Sequence, residues 1–475
     1  MKTPFLAFFF KLSLTLSLSL FSFATTAQSL SKDKNIHYVF QDSIKRPWLA
    51  AAEVAGLNIM VNRYNLYARP DVDFSQISWD SWKENFAHGL EWDWNVFGVN
   101  FIGHPYQGSH YYNSARSLGL NYWESSAYTF MGSLTWEYLG ETHYPSGNDI
   151  ATTTLGGMFL GEVLYRFSDL IIKENTVGFE RGVREFCGFL VDPIRGFNRL
   201  MTGKMKNFKR YPGFVKPYFD GRFSAGGNYY TKTLNSTPVN AGMLLDIELN
   251  YGDPFDGKTI AKRPFDIFAI EAWYKGTQDT LSKNHLSLYG YGNVLLKDIS
   301  NLKSEHQHSI GVFHLYDYLN SGVVEIGDMG FTTGILSKFR LSEKINLKTI
   351  AMIGPAAFAG SNSEVIDAHL HSDDPTDLRD YILGPAIKTK LETKLEMGKI
   401  GDLSIKYHRW DIFVASGPEG KETLQSFTFE YDIPVVHPFY LGARFHIYNR
   451  KAHYDNFDDV KKRSEELRVF ATYRF

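Results

Sequence analysis

Glu137 and Glu141 stand four residues apart in a segment of helical periodicity, so the spacing predicts two carboxylates on one helix face. Set among Trp, Tyr and Phe, such carboxylates suit general acid and base work or cation binding. His104, His110 and His143 fall near the ends of the same helices, where they could converge on them. Asp149 opens the next helix. His104, Glu137, Glu141 and Asp149 are therefore the candidate catalytic set, and the chemistry they suggest is general acid and base work or cation binding. Each has a plainer reading beside it. The glutamates could bond between helices or pair with Arg116 or Arg166, His104 could donate at a helix end, and Asn148 or Asp149 could act as an N-cap. His306, Gln307, His308 and Ser309 resemble a His/Ser pairing, but they sit at a strand start and read as a loop or barrel rim. The chain has no HExxH, GxSxG, Gly-rich phosphate loop or paired CxxC, so none of the well-marked catalytic classes is supported. The sequence predicts neither a metal nor a cofactor.

The elements that must position these residues are helical. Pro47 to Tyr67 reads as a helix with a small-residue face at Ala51, Ala52, Ala55 and Gly56, and a short amphipathic helix starts near Trp79. Glu91 to Val96 reads as extended. Pro105 fits the first turn of a helix running to about Leu118, because its missing N–H is no loss there. Helices from Tyr122 to Gly140 and from about Ile150 to Lys173 follow, the last with a smooth stripe at Gly156, Gly157 and Gly161. A short basic helix from Asp192 with Arg195 and Arg199, followed by Lys204, Lys206, Lys209 and Arg210, then marks the domain boundary, as a solvated linker or a segment against anionic headgroups.

From about Tyr218 the period becomes two. Phe439, Leu441, Ala443, Phe445 and Ile447 alternate with Tyr440, Gly442, Arg444, His446 and Tyr448. Ile387 to Leu395 likewise alternates with Lys388, Lys390, Glu392, Lys394 and Glu396, placing five charges on one face of one strand. About twelve such strands, starting near 218, 239, 265, 284, 306, 324, 345, 381, 402, 423, 438 and 466, fit a closed sheet with lipid outside and a wet, charged lumen inside. Closure removes the unpaired edges that lipid does not tolerate. The lumen-facing candidates for contact with solute or with the helical part are Lys388, Lys390, Glu392, Lys394, Glu396, Arg444 and His446.

Composition agrees with this division. The 475 residues carry 50 basic and 52 acidic side chains, a balance that argues against nucleic acid as a partner. An aromatic content of 16% excludes disorder, and a mean hydropathy of -0.25 excludes a polytopic helical membrane protein but not a barrel. Met1 to Ala27, with Lys2 and Lys11 ahead of an apolar core and Thr25-Thr26-Ala27 at its end, reads as a cleaved secretory signal. The single cysteine, Cys187, lies in an apolar run and reads as a small buried hydrophobe.

The run Gly103-His104-Pro105-Tyr106, Gly108-Ser109, Tyr111-Tyr112, then Trp136-Glu137, Gly140-Glu141, Pro145-Ser146, Asp149 and a glycine-rich helix resembles the family called domain of unknown function 3943, found in exported Gram-negative proteins. That resemblance brings no established reaction. Leu467, Val469, Ala471, Tyr473 and Phe475 share one face, an ending similar to the closing strand of outer-membrane barrels, where a terminal Phe is read by the barrel assembly machinery. The expectation is an α+β chain. A signal at 1–27 precedes a helical domain at 28–215, with its family core at about 91–173 and a basic linker. An antiparallel transmembrane β-barrel of the outer membrane follows at 216–475. Outer-membrane lipid and the assembly machinery are its expected partners, and the helical domain is expected in the periplasm or as a plug in the lumen. A structural, binding or transport role is the first functional reading, with an envelope lipid or cell-wall modifying hydrolase using His104, Glu137, Glu141 and Asp149 as the alternative.

Overall fold

The computed structural model describes residues 44–69, 73–92, 95–207, 218–231, 240–255, 263–276, 285–301, 304–321, 324–362, 381–455 and 457–475. The expected signal segment, linker residues 208–216 and loop residues 363–380 lie outside them. Among the described residues, seven α-helices precede twelve β-strands. The helices are α1 (Pro47–Ala68), α2 (Trp79–His88), α3 (His104–Arg116), α4 (Tyr122–Leu139), α5 (Gly147–Ile171), α6 (Gly178–Val191) and α7 (Pro193–Met201).

Local chemistry sets their ends. Ser78 with Ser81, and Asn121 with Glu124, form reciprocal caps at the starts of α2 and α4. Pro105 occupies the first turn of α3, directly after a single π-helical turn at Val99–Gly103. The cap of α5 is Ser146 rather than Asn148 or Asp149: its Oγ accepts the Asp149 N–H, which puts Asp149 inside the first turn. The glycine stripe works as expected. A Cβ on Gly157 would stand 2.5 Å from the Gly108 carbonyl carbon, so α3 and α5 cross backbone to backbone.

The strands are β1 (Phe219–Thr231), β2 (Asn240–Tyr251), β3 (Phe268–Lys275), β4 (His285–Asp298), β5 (Gln307–Asn320), β6 (Glu325–Arg340), β7 (Asn346–Asn362), β8 (Tyr381–Glu396), β9 (Asp402–Phe413), β10 (Gly420–Val436), β11 (Phe439–Tyr454) and β12 (Phe457–Arg474). Each pairs antiparallel with its neighbours in sequence, and β1 closes on β12 with Phe223 opposite Tyr473 and Ala225 opposite Ala471. β12 starts at Phe457 rather than near 466. Its first half carries Asp458, Asp459, Lys461, Lys462 and Arg463, so no apolar alternation betrays a strand that the ladder to β11 nevertheless holds.

Alternation separates two surfaces. Ile353, Ile387, Leu391, Leu441, Leu467 and Val469 point outward and are exposed. Lys388, Trp410, Glu430, Arg444 and Arg468 point inward and are buried.

The helical domain is neither in the lumen nor apart from the barrel; it lies against the barrel's outer wall. His314, Tyr316 and Tyr318 of β5 share the face of exposed Ile310, opposite to inward Asp317, and the helices pack on that face. The Phe159 ring stacks on Tyr316 at 5.6 Å, and Tyr122 Oη lies 3.0 Å from His314 Nδ1. Phe101 reaches Phe358 of β7, and Phe167 packs on Phe268 of β3. The physical reason for this placement is local: Gly327 on β6 opens a slot in the wall, where any Cβ would come within 2.1 Å of the Phe101 ring.

Candidate functional site

Three of the four candidate catalytic residues meet at one end of the helical domain. The Ser146 N–H donates to Glu137 Oε2 at 2.8 Å, and the Ser146 hydroxyl donates to Asn148 Oδ1 at 2.9 Å. Asn148 Nδ2 bridges Asp149 Oδ1 at 2.8 Å and Asn100 Oδ1 at 3.0 Å. Asp149 Oδ2 accepts from Asn95 Nδ2 at 3.2 Å and lies 3.2 Å from His104 Nε2. The barrel completes the cluster: Asn100 Nδ2 donates to the Tyr381 hydroxyl at 2.6 Å, and that hydroxyl donates to the Asn95 carbonyl. Glu137, Asn100, Asn148 and Asp149 are all buried, while the His104 side chain keeps 11% exposure. His104 and Asn95 are thus the members of the cluster that stay partly accessible.

Glu141 does not share a helix face with Glu137. α4 stops at Leu139, and Glu141 lies past the Gly140 cap, where its carbonyl accepts from Asn85 Nδ2 at 3.1 Å. His110 and His143 stay apart from the cluster. His110 Nδ1 bonds the Tyr106 carbonyl one turn back, and His143 packs on Phe74. His308 Nδ1 contacts Ser337 Oγ at 2.9 Å on the neighbouring strand β6, in keeping with a rim position. Among the described residues no three His, Cys, Asp or Glu side chains come together to hold a metal.

Arg116 and Arg166 pair not with Glu137 or Glu141 but with Glu162. Glu162 takes Arg116 Nε, Arg166 Nε and the Tyr112 hydroxyl, each at 2.7 Å. Arg166 continues to Asp266 at 3.2 Å and to the Pro264 carbonyl at 2.9 Å, so this buried node ties α3 and α5 to the barrel. A lone glutamate in the apolar run Phe159-Leu160-Gly161-Glu162-Val163-Leu164 was the available signal, since a buried charge must be paired. Asn95 and Asn100 gave less warning, and Tyr381 none, because it comes from a strand far along the chain.

All seven lumen candidates face inward, and they find partners within the wall. Arg444 Nη1 donates to Asp246 at 2.7 Å and Glu271 at 3.0 Å, and Arg444 also pairs with Glu430. Lys388 pairs with Asp317 and lies 3.5 Å from Asp328, with its ammonium 3.4 Å from the centre of the Trp410 ring. Glu392 joins Lys390 at 3.2 Å and His408 at 2.8 Å. Glu396 bonds Lys348 at 2.7 Å, Lys394 lies 3.7 Å from Asp402, and His446 bonds Thr428 at 2.9 Å. Arg222 with Glu430, Lys406 with Glu271 and Lys275 with Glu466 join strands that are not neighbours, so ion pairs cross the lumen.

Residues 89–194 match the family described as Domain of unknown function (DUF3943). No curated protein sequence matches. Similar solved structures include the outer membrane channel DcaP of Acinetobacter baumannii, 8% identical over 54% of this chain and 96% of that one at a TM-score of 0.24. An anion-selective porin from Comamonas acidovorans is 10% identical over 55% and 99% of the two chains at a TM-score of 0.25. OmpT, an outer membrane protein of Vibrio cholerae, is 8% identical over 54% and 97% at 0.21. The fold itself rests on the strand ladder described above.

Proposed function

We propose that this chain is an integral outer-membrane protein whose barrel is a closed, non-conducting scaffold, and whose helical domain, docked on the outer wall, carries a binding site at the His104 cluster. One observation supports the scaffold reading above all: charges at mid-height of the lumen are buried and neutralise one another across it, Arg444 at 1% exposure and Lys388 at 0%, and only those toward the end of β8, such as Lys394 and Glu396, are more open. A porin needs wet, unpaired charges along its channel, whereas these are paired and packed. Export through a cleaved signal at 1–27 and recognition of the terminal strand by the assembly machinery belong to the same reading.

Binding is favoured over hydrolysis by how the carboxylates are used. Glu137 accepts a backbone N–H, and Asp149 is held by two asparagine amides, so both act as positioning groups around His104. Purified protein reconstituted in planar bilayers provides the test. The expected result is no steady conductance at physiological salt; an open channel in the unmodified protein would overturn the scaffold reading.

A further inference from the structure

The helical domain is built inside out. On α1, Asn58, Asn62 and Asn65 follow the helical repeat and are buried, whereas Trp48, Ile59 and Tyr67 on the outer side are 88%, 63% and 76% exposed. α4 repeats the pattern, with Ser125, Ser126, Thr129 and Ser133 buried and Trp123, Phe130 and Met131 exposed. Buried hydroxyls turn back to their own helix: Ser126 bonds the Tyr122 carbonyl, Thr129 that of Ser125 and Thr152 that of Asn148. Polar side chains bonding within the bundle, small residues at the crossing and apolar side chains outward are what a hydrocarbon solvent selects. Among the described residues no helix is long and apolar enough to cross a membrane alone, which follows from one face of each helix being turned to its neighbours.

Position and length agree. The chain enters α1 at the end of the barrel that holds its own last residue: Arg46 bonds Leu118, Glu53 bonds Asn198 of α7, and Phe167 near the end of α5 packs on Phe219, which in turn touches Phe475. Asn148 at the start of α5 belongs to the Tyr381 cluster at the opposite end. α5 therefore runs the height of the wall; its 25 residues span about 37 Å, against roughly 30 Å of bilayer hydrocarbon. α1, α3, α4 and α5 run alternately up and down beside it. Between α1 and α4 a cleft of about 570 Å³, lined by Ala51, Ala55, Ile59, Ala127 and Met131, is almost wholly apolar.

We infer that α1, α3, α4 and α5 stand in the hydrocarbon layer beside the barrel, and that the α1–α4 cleft seats an acyl chain of a membrane lipid. The occupant follows from continuity: the exposed apolar side of the bundle continues the apolar belt of Leu441, Leu467 and Val469, which already faces lipid. This rests on the membrane reading of the barrel but not on its closed lumen.

The test uses full-length protein in phospholipid vesicles, with Cys187→Ser as background and single cysteines at Ile59, Met131, Leu467 and Lys399 carrying a fluorescent label. Heat-modifiable gel migration verifies that each variant is folded. Labels at Ile59 and Met131 are expected to be quenched by doxyl-acyl phosphatidylcholine within twofold of the barrel label at Leu467, and to resist iodide. Quenching by iodide like that at the Lys399 turn, with the Leu467 label still in lipid, would overturn the proposal and leave the barrel reading standing. Loss of lipid quenching at Leu467 as well would instead strike the barrel reading. For the cleft, Ala55→Trp should lower the lipid phosphorus retained through detergent purification, and unchanged retention would remove the acyl-chain seat.

Discussion

Lys388 of β8 and Asp317 of β5 form an ion pair between strands that do not touch, and the Lys388 ammonium rests 3.4 Å from the centre of the Trp410 ring. Both side chains are buried, so neither has water to fall back on. Lys388→Ala would leave Asp317 and Asp328 together without their cation, at a cost of about 3–5 kcal/mol. The double change Lys388→Met with Asp317→Asn removes charge from both sides and should cost clearly less. Urea unfolding of the folded barrel in vesicles measures both, and equal losses would show that the pair is not what the site depends on.

Glu162 pairs with both Arg116 and Arg166, and Asp266 adds a second acid on Arg166. Glu162→Ala takes the carboxylate from buried Arg116 and leaves Arg166 with Asp266 alone, and breaking such a network costs about 3–5 kcal/mol. The expected outcome is selective: limited proteolysis should cut the helical domain while β1 to β12 keep heat-modifiable migration. A barrel lost together with the helices would contradict the node's local role.

Gly157→Val should be more damaging than Gly156→Ala in any pairwise comparison of protease resistance. At Gly157 the obstacle is the Gly108 backbone, whereas at Gly156 it is the Pro105 ring. Overpacking of this kind typically costs about 1–3 kcal/mol and more where the backbone cannot yield.

Ser146→Ala removes the cap of α5, worth about 1 kcal/mol, and with it the hydroxyl that orients Asn148. Asp149→Asn should keep the fold and alter the surroundings of His104, Asn95 and Asn148. The His104 ring resonances followed by NMR should move in Asp149→Asn, and unchanged resonances would detach His104 from Asp149.

Removal of Phe475 takes away the ring that packs on Phe219 and Tyr473 at the foot of the closing seam. On the proposal that the assembly machinery reads this strand, membrane-inserted protein in cells should fall several-fold while refolding in detergent, which needs only strand pairing, changes little; equal losses in both would count against that proposal.

The two faces of the strands and the starts of α3 and α4 were legible because they follow from local chemistry: Lys388 to Glu396 alternates with Ile387 to Leu395, Pro105 suits a first turn, and the helical period sets in at Tyr122. Ser146 was missed as a cap because Asn148 and Asp149 advertise the same chemistry nearby. Glu141 was misplaced because a helical period does not reveal that the helix ends at Leu139. The docking of the helices was hidden for a deeper reason: an apolar strand face reads alike whether it meets lipid or protein. On β5 the clue was His314, a polar ring on the outward face of Ile310, Tyr316 and Tyr318, which only a hydrogen-bonding neighbour such as Tyr122 makes sense of. Charges in the lumen were readable strand by strand, but their pairing was not, since Arg444 meets Asp246 and Glu271 from across the barrel.

The helices pack on part of the outward face of β2 to β8, where Ile353, Ile387 and Leu391 stay bare, and touch β1 at its foot, while no helix residue joins the outward apolar side chains of β9 to β11 among the described residues. The joint between β1 and β12 thus opens onto the uncovered arc. The two edge strands can therefore meet along most of their length without displacing the bundle, whose contact beside the seam, among the described residues, is Phe167 on Phe219. The ring is sealed beside the helices rather than beneath them.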